Sequence, residues 1–177
     1  MTTPTLSLTE SQTLAALRSF LLAVLPAGVE VVKGQVNRVA EPKGSDFVVM
    51  TSTLRERLST NIDTYTDGHP VNPGTKASLQ PTKVTIQVDV HGPASADNAQ
   101  IIVTLFRDEF ATTAFSASGF DVTPLYASDP RQAPFLNGEQ QVETRWTIDA
   151  VMHCNPVVTV PQDFFTEVSI DIGETLQ

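Results

Sequence analysis

The single cysteine of the chain, Cys154, directly follows a histidine, His153; the other two histidines are His69 and His91. A thiol with an imidazole is the smallest set that could run nucleophilic catalysis, because a base must take the thiol proton before sulfur attacks. The spacing speaks against it. In "QVETRWTIDAVMHCN", residues 141–155, Val142, Thr144, Trp146, Ile148, Ala150, Met152 and Cys154 alternate with Glu143, Arg145, Thr147, Asp149 and His153. That is the period of a strand, on which neighbouring side chains point to opposite faces. Cys154 then falls on the apolar face, where a buried core thiol is expected, and only His69 or His91 could reach it through the fold.

Other chemistry finds less support. The three histidines and the carboxylates show no zinc or calcium-loop spacing, and there is no Gly-rich phosphate loop, no G-x-S-x-G elbow and no paired-carboxylate signature. The expectation is a protein with no catalytic, cofactor-binding or metal-binding residues. A small cytosolic thiol hydrolase using Cys154 is kept as an alternative.

His91 ends the alternating run "KVTIQVDVH". Val84, Ile86, Val88 and Val90 occupy one face and Lys83, Thr85, Gln87, Asp89 and His91 the other, which predicts a strand half covered by core with a solvated or interface histidine. Gly92-Pro93 punctuates the passage into a helix with Ser95 as its cap, Asp97 in its first turn and an apolar stripe of Ala99, Ile102, Val103, Phe106 and Phe110. The stretch reads as a structural junction.

Upstream, Thr9 and Gln12 have capping-box spacing, and Leu14, Leu17, Leu21, Val24 and Leu25 repeat at helical intervals until Pro26 and Gly28. Residues 29–40 and 46–59 are β-branched and partly alternating around the turn-like "EPKGS", which predicts a hairpin. Residues 61–82, with three prolines and two glycines, show neither period and predict a long loop. After the Pro-bounded "PVVTVP", the alternation in "TEVSIDI" predicts a last strand. The order of elements lacks regular β–α alternation, so the expected fold class is α+β: a mostly antiparallel sheet with two main helices packed on one face.

With 177 residues, the expectation is one domain; 41% hydrophobic and 18% charged residues are ordinary globular usage. A formal charge of −9 gives a field that repels phosphate backbones and anionic lipid, which disfavours a nucleic-acid-binding module. One cysteine makes no internal disulfide, consistent with synthesis in the cytosol. "LAALRSFLLAVL" is too short and is interrupted by Arg18, so neither a signal peptide nor a membrane span is expected.

Taken together, "LRSFLLAVLPAGVEVVKGQVNRVAEPKGSDFVVMTSTLRERLSTN", "VDVHGPASADNAQIIVTLFRDEF", "PLYASDPRQAPFLNGEQQVETRW" and "NPVVTVPQDFF" resemble the neck or tail terminator proteins of long-tailed bacteriophages and prophages. The resemblance runs over about residues 17–165 and rests on the order and number of these phrases. No phrase falls in 61–82. It implies a structural virion protein, assembled in the host bacterial cytoplasm. Self-association into a ring, a hexamer, would cap the head-proximal end of the tail tube, end its growth and present a joining surface to the head-completion or connector protein. In a contractile tail it would also meet the sheath. DNA would only pass through. The closest competing reading is another ring component of the neck or tail.

A ring of this kind needs two different, complementary surfaces on every protomer. Three charged runs are candidates: Arg55, Glu56 and Arg57; Arg107, Asp108 and Glu109; Glu143 and Arg145.

Overall fold

Thr9 starts the first helix by the local chemistry its sequence predicts. After β1 (Thr5–Leu6), the Thr9 hydroxyl accepts from the Gln12 backbone N–H at 3.3 Å and the Gln12 Oε1 accepts from the Thr9 N–H at 2.8 Å, the reciprocal capping box of α1 (Glu10–Val24). The computed structural model describes residues 3–35, 42, 44–68, 74–133, 135–136 and 142–164. The helix buries Leu14, Leu17, Phe20 and Leu21 and stops before Pro26, which has no N–H to continue it.

The hairpin predicted over 29–40 and 46–59 is not formed. β2 (Glu30–Lys33) and β3 (Phe47–Arg57) pair in parallel, from Glu30 opposite Phe47 to Lys33 opposite Met50. Alternation marks a strand without fixing the direction of its partner, and the thirteen residues between the two are enough for a parallel crossover. Residues 36–41 of that prediction lie outside the described residues.

The segment 61–82 is also not a structureless loop. It carries β4 (Ile62–Thr66) and β5 (Gly74–Leu79) before β6 (Thr82–His91). Downstream lie α2 (Ser95–Phe106), α3 (Glu109–Ala117), β7 (Val122–Ala127), β8 (Arg131–Gln132), β9 (Phe135–Leu136), β10 (Val142–Glu143), β11 (Arg145–Cys154) and β12 (Val157–Gln162). The strand predicted in "TEVSIDI" falls outside the described residues.

The stripe from Ala99 to Phe110 is divided between two helices, because Asp108 accepts the Phe110 N–H at 2.9 Å and so begins a new one. Three helices thus stand where two main ones are predicted. Ser95 is not the cap of α2 either. That position is Ala94, whose N–H donates to Asp46 Oδ1 at 2.9 Å, while the buried Ser95 hydroxyl has no hydrogen-bond partner among the described residues.

The main sheet runs β2-β3-β6-β11-β7, with β8 also on β11, and is antiparallel except at β2–β3. Val84, Ile86 and Val88 of β6 and Ile148, Ala150, Met152 and Cys154 of β11 share one buried cluster with Leu17, Phe20, Ile102 and Phe115 of the helices. This is an α+β fold with its core between helices and sheet.

Three strands leave this sheet together. β3, β6 and β11 are followed or preceded by β4, β5 and β12, which with β1 form a second antiparallel sheet in the order β1-β12-β5-β4. Prolines mark the junction on two of them: the Leu58 N–H donates to the Pro81 carbonyl at 2.9 Å and the Gln80 N–H to the Pro156 carbonyl at 3.0 Å. Backbone pairing therefore continues through the break. Among the described residues the second sheet contributes none to the core cluster, although Leu8, just after β1, belongs to it, and β4 is exposed along its whole length.

Candidate interaction surfaces

The polar face of β6 and β11 is built around Asp89. Its carboxylate accepts from the Thr147 hydroxyl at 2.6 Å and from the Gln87 amide at 2.8 Å, and Arg145 Nε stands 4.0 Å away while donating to the Ala133 carbonyl at 3.0 Å. Such a network holds two neighbouring strands in register, because breaking any bond strands a buried polar group. Asp89 and Thr147 are buried, so the end of this face near α2 is closed rather than solvated.

His91 corrects the sequence expectation. It is buried at 7% exposure, and its ring stacks on Phe47, centroids 4.5 Å apart and 7° from parallel. Burial pushes its pKa below the ordinary histidine value; Asp89 and Glu143 oppose the shift and Arg145 adds to it. A depressed pKa means that the unfolded chain binds the proton first as pH falls. The stability tied to neutral His91 is complete above the unfolded value of about 6.5 and is lost as pH drops through it toward the folded value. Thermal melts between pH 7.5 and 5 should show this loss, and His91→Phe should flatten that part of the profile; an unchanged profile in the variant counts against it.

Cys154 sits wholly inside the core, and burial raises its thiol pKa, with a hydrogen bond to Thr13 opposing. A thiol held protonated and out of solvent is no nucleophile. His153 lies on the opposite face of β11 by strand alternation, and His69 lies outside the described residues. Among the described residues no group of three or more metal-ligating side chains stands together, and no helix is long and apolar enough to cross a membrane.

The three charged runs do not form one patch. Arg55, Glu56 and Arg57 pair opposite Val84, Lys83 and Thr82, whereas Arg145 pairs opposite His91 at the other end of the ten-residue β6, about 23–30 Å away at some 3.3 Å per residue. Arg107, at the end of α2, donates to the Ala127 carbonyl and lies 3.9 Å from Asp129. Asp108 is spent on capping α3, Glu109 opens that helix, and Glu143 lies in β10. Arg145 is engaged within the Asp89 network.

Arg55 and Arg57 are different. The side chain of every other described lysine or arginine makes an ion pair or a hydrogen bond within the chain, as Lys83 does with Glu56 at 2.8 Å; the side chains of these two make neither among the described residues. A β-bulge explains where they point. Ser52 lies opposite Ile86, but Leu54 lies opposite Thr85, so Thr53 is the extra residue. Before the bulge Val48 and Met50 face the helices; after it Arg55 and Arg57 do, and Leu54 and Glu56 turn away. Nothing in the local sequence marks the bulge.

Sequence reasoning also missed the surface that follows. Every residue from Thr53 to Asp67 is exposed, including Leu54 at 53%, Leu58 at 49%, Ile62 and Tyr65. In β4, Asp63 pairs with Lys76 at 2.8 Å and accepts from Ser78 at 2.6 Å, which fixes the strand to β5 and leaves its outer edge without a partner among the described residues. An extended edge with large apolar side chains and open backbone groups is a surface for another chain. The signal available in the sequence was the alternation Ile62, Thr64, Thr66 among turn-forming residues, too polar to stand out.

A family model described as phage neck terminator protein matches residues 11–175, nearly the whole chain. Against the curated proteins the chain has no significant match. The matched span takes in the core helices, the Asp89 network and the exposed edge alike, and the chain belongs to the phage neck terminator protein family, structural components of the virion neck and tail.

Proposed function

We propose that the protein is a one-domain protomer of a ring, a hexamer, that caps the head-proximal end of the tail tube, stops its growth and offers the joining surface for the head-completion or connector protein. The exposed edge from Thr53 to Asp67 carries this reading, since it joins apolar area to two uncompensated arginines on an otherwise acidic protein. Family membership supports it. The tail tube protein, the connector and, in a contractile tail, the sheath are the partners. The formal charge of −9 per chain suits a channel that lets DNA pass without adhering, as like charges repel in a narrow passage. An assembled ring with a basic channel wall contradicts that last point.

The test is tail length in particles of a phage or prophage whose copy of this reading frame carries an early stop codon, measured by negative-stain electron microscopy. Overlong or irregular headless tubes are expected. Tails of normal length that fail only to join heads would assign the protein to the connector side as another ring component of the neck. Wild-type particles would remove it from assembly altogether.

A further inference from the structure

Beyond Met50, where β2 no longer covers β3, the two sides of the main sheet match one another. On one edge, β3 bulges at Thr53, between the rows of Ile86 and Thr85. On the other, β7 shifts register between Val151 and Met152, which makes Leu125 its extra residue; Val151 lies opposite Thr85, so the two bulges are within one row of each other. Large apolar side chains stand exposed at both: Leu54 and Leu58 on the first edge, Leu125 at 44% and Tyr126 at 48% on the second. β3 and β7 are three strand spacings apart, about 14 Å, too far for their side chains to meet in one protomer.

The charges complement each other at the same level. Arg57 is opposite Thr82, Thr82 is opposite Cys154, and Cys154 is opposite Val122, so the row that starts at Arg57 ends at Val122, and Asp121 is the residue directly before it in the chain. Asp121 is exposed and has no ion-pair or hydrogen-bond partner among the described residues. It stands at a cavity of about 560 Å³ between α3 and β7, lined also by Phe115, Phe120, Val122 and Pro124. Both the arginines and this cavity belong to the helix side of the sheet. Cys154 feels them with opposite signs, Arg55 lowering and Asp121 raising its pKa.

We infer that the α3/β7 cavity receives Arg55 and Arg57 from the β3 edge of a second copy of this chain, with Leu54 and Leu58 packing on Leu125 and Tyr126. A wall that mixes these apolar groups with Thr112, Ser116 and Thr123 and holds one carboxylate suits an arginine, whose stem packs while its fork pairs with the acid. Pro124 has no N–H to offer, so the β7 edge is blunted and the contact is made by side chains instead of a continuous backbone ladder. Two different surfaces on opposite edges make a heterologous contact, which closes by rotation. The inference rests on the ring reading and names the surfaces that close it.

The experiment uses two full-length variants, Arg55→Glu/Arg57→Glu and Asp121→Arg, with association followed by sedimentation velocity and folding by circular dichroism. Each alone places like charges together and should weaken association about tenfold or more. Mixed one to one they should assemble again, because the glutamate edge of one fits the arginine cavity of the other, and the remaining contacts are wild type. Such an alternating ring closes only with an even number of protomers, as a hexamer has. Variants that assemble like wild type, or a mixture that does not recover, overturn the inference and leave the ring reading standing. A wild-type chain monomeric at every concentration tested overturns the inference, while tail length decides the ring reading separately. Should a reversal disturb folding, Arg57→Gln and Asp121→Asn carry the same test, and unchanged association there overturns it equally.

Discussion

Replacing Phe20 with alanine is expected to lower the free energy of unfolding by about 3–5 kcal/mol, the range for deleting a large aromatic ring from a closed core. Phe20 is fully buried at the meeting point of the three helices. Its ring is 5.4 Å from that of Phe106 and nearly perpendicular to it, 6.0 Å from Phe115 and 6.4 Å from Phe110, while Phe106 and Phe115 meet edge to face at 5.9 Å. Offset and edge-to-face pairs of this spacing add to the area term, and the rings surrounding the gap belong to different helices, which limits how far it can close. The effect reaches the proposed interface, since Phe115 both packs on Phe20 and lines the α3/β7 cavity. Phe110 is the comparison: its ring touches Phe20 but is largely exposed, so its alanine variant should cost far less. Equal urea midpoints for the two variants would show that the three helices do not share one packed centre.

What the sequence revealed follows from how local each cause was. The capping box at Thr9 and Gln12 and the alternation of Val84 to Val90 act within a few residues, and both are where their patterns put them. Pairing direction is not local, which is why the parallel β2–β3 contact looked like a hairpin. β4 and β5 were invisible for another reason: they lie on a sheet with almost no core, so no apolar period was selected to report them. The division of α2 from α3 was legible in principle, because Asp108-Glu109 is a helix-start pair, but the apolar stripe running through it to Phe110 masked the signal. For the candidate surfaces, the sequence picked Arg55 and Arg57 by charge alone. Their distinction from Arg107 and Arg145 depends on partners elsewhere in the fold, and their direction on a bulge, neither of which a charge run can show.

Gly92→Ala should be the most costly change in the passage from β6 to α2, about 2–5 kcal/mol from a left-handed backbone and an overpacked contact together. The residue has φ +102°, and a Cβ built on it would overlap the Ser45 carbonyl oxygen and come within 2.6 Å of Asp46 Oδ1 and 2.9 Å of Asp46 Cα. Backbone atoms cannot swing aside as a side-chain tip can. Asp46 is also the acceptor for the Ala94 N–H, so pushing it away releases the first turn of α2, and Gly92 itself donates to the Thr144 carbonyl beside Arg145. Gly28 separates the two costs. It has φ +96° in the turn closed by the Val29 N–H and the Pro26 carbonyl, yet nothing lies within 4 Å of its added Cβ, so Gly28→Ala should lose only the conformational part, about 1–2 kcal/mol. The difference between the two melting curves measures how tightly the 45–46 segment is pressed against the junction. Equal losses at Gly28 and Gly92 would mean that this segment yields to a methyl group, and that α2 is anchored by its buried face alone.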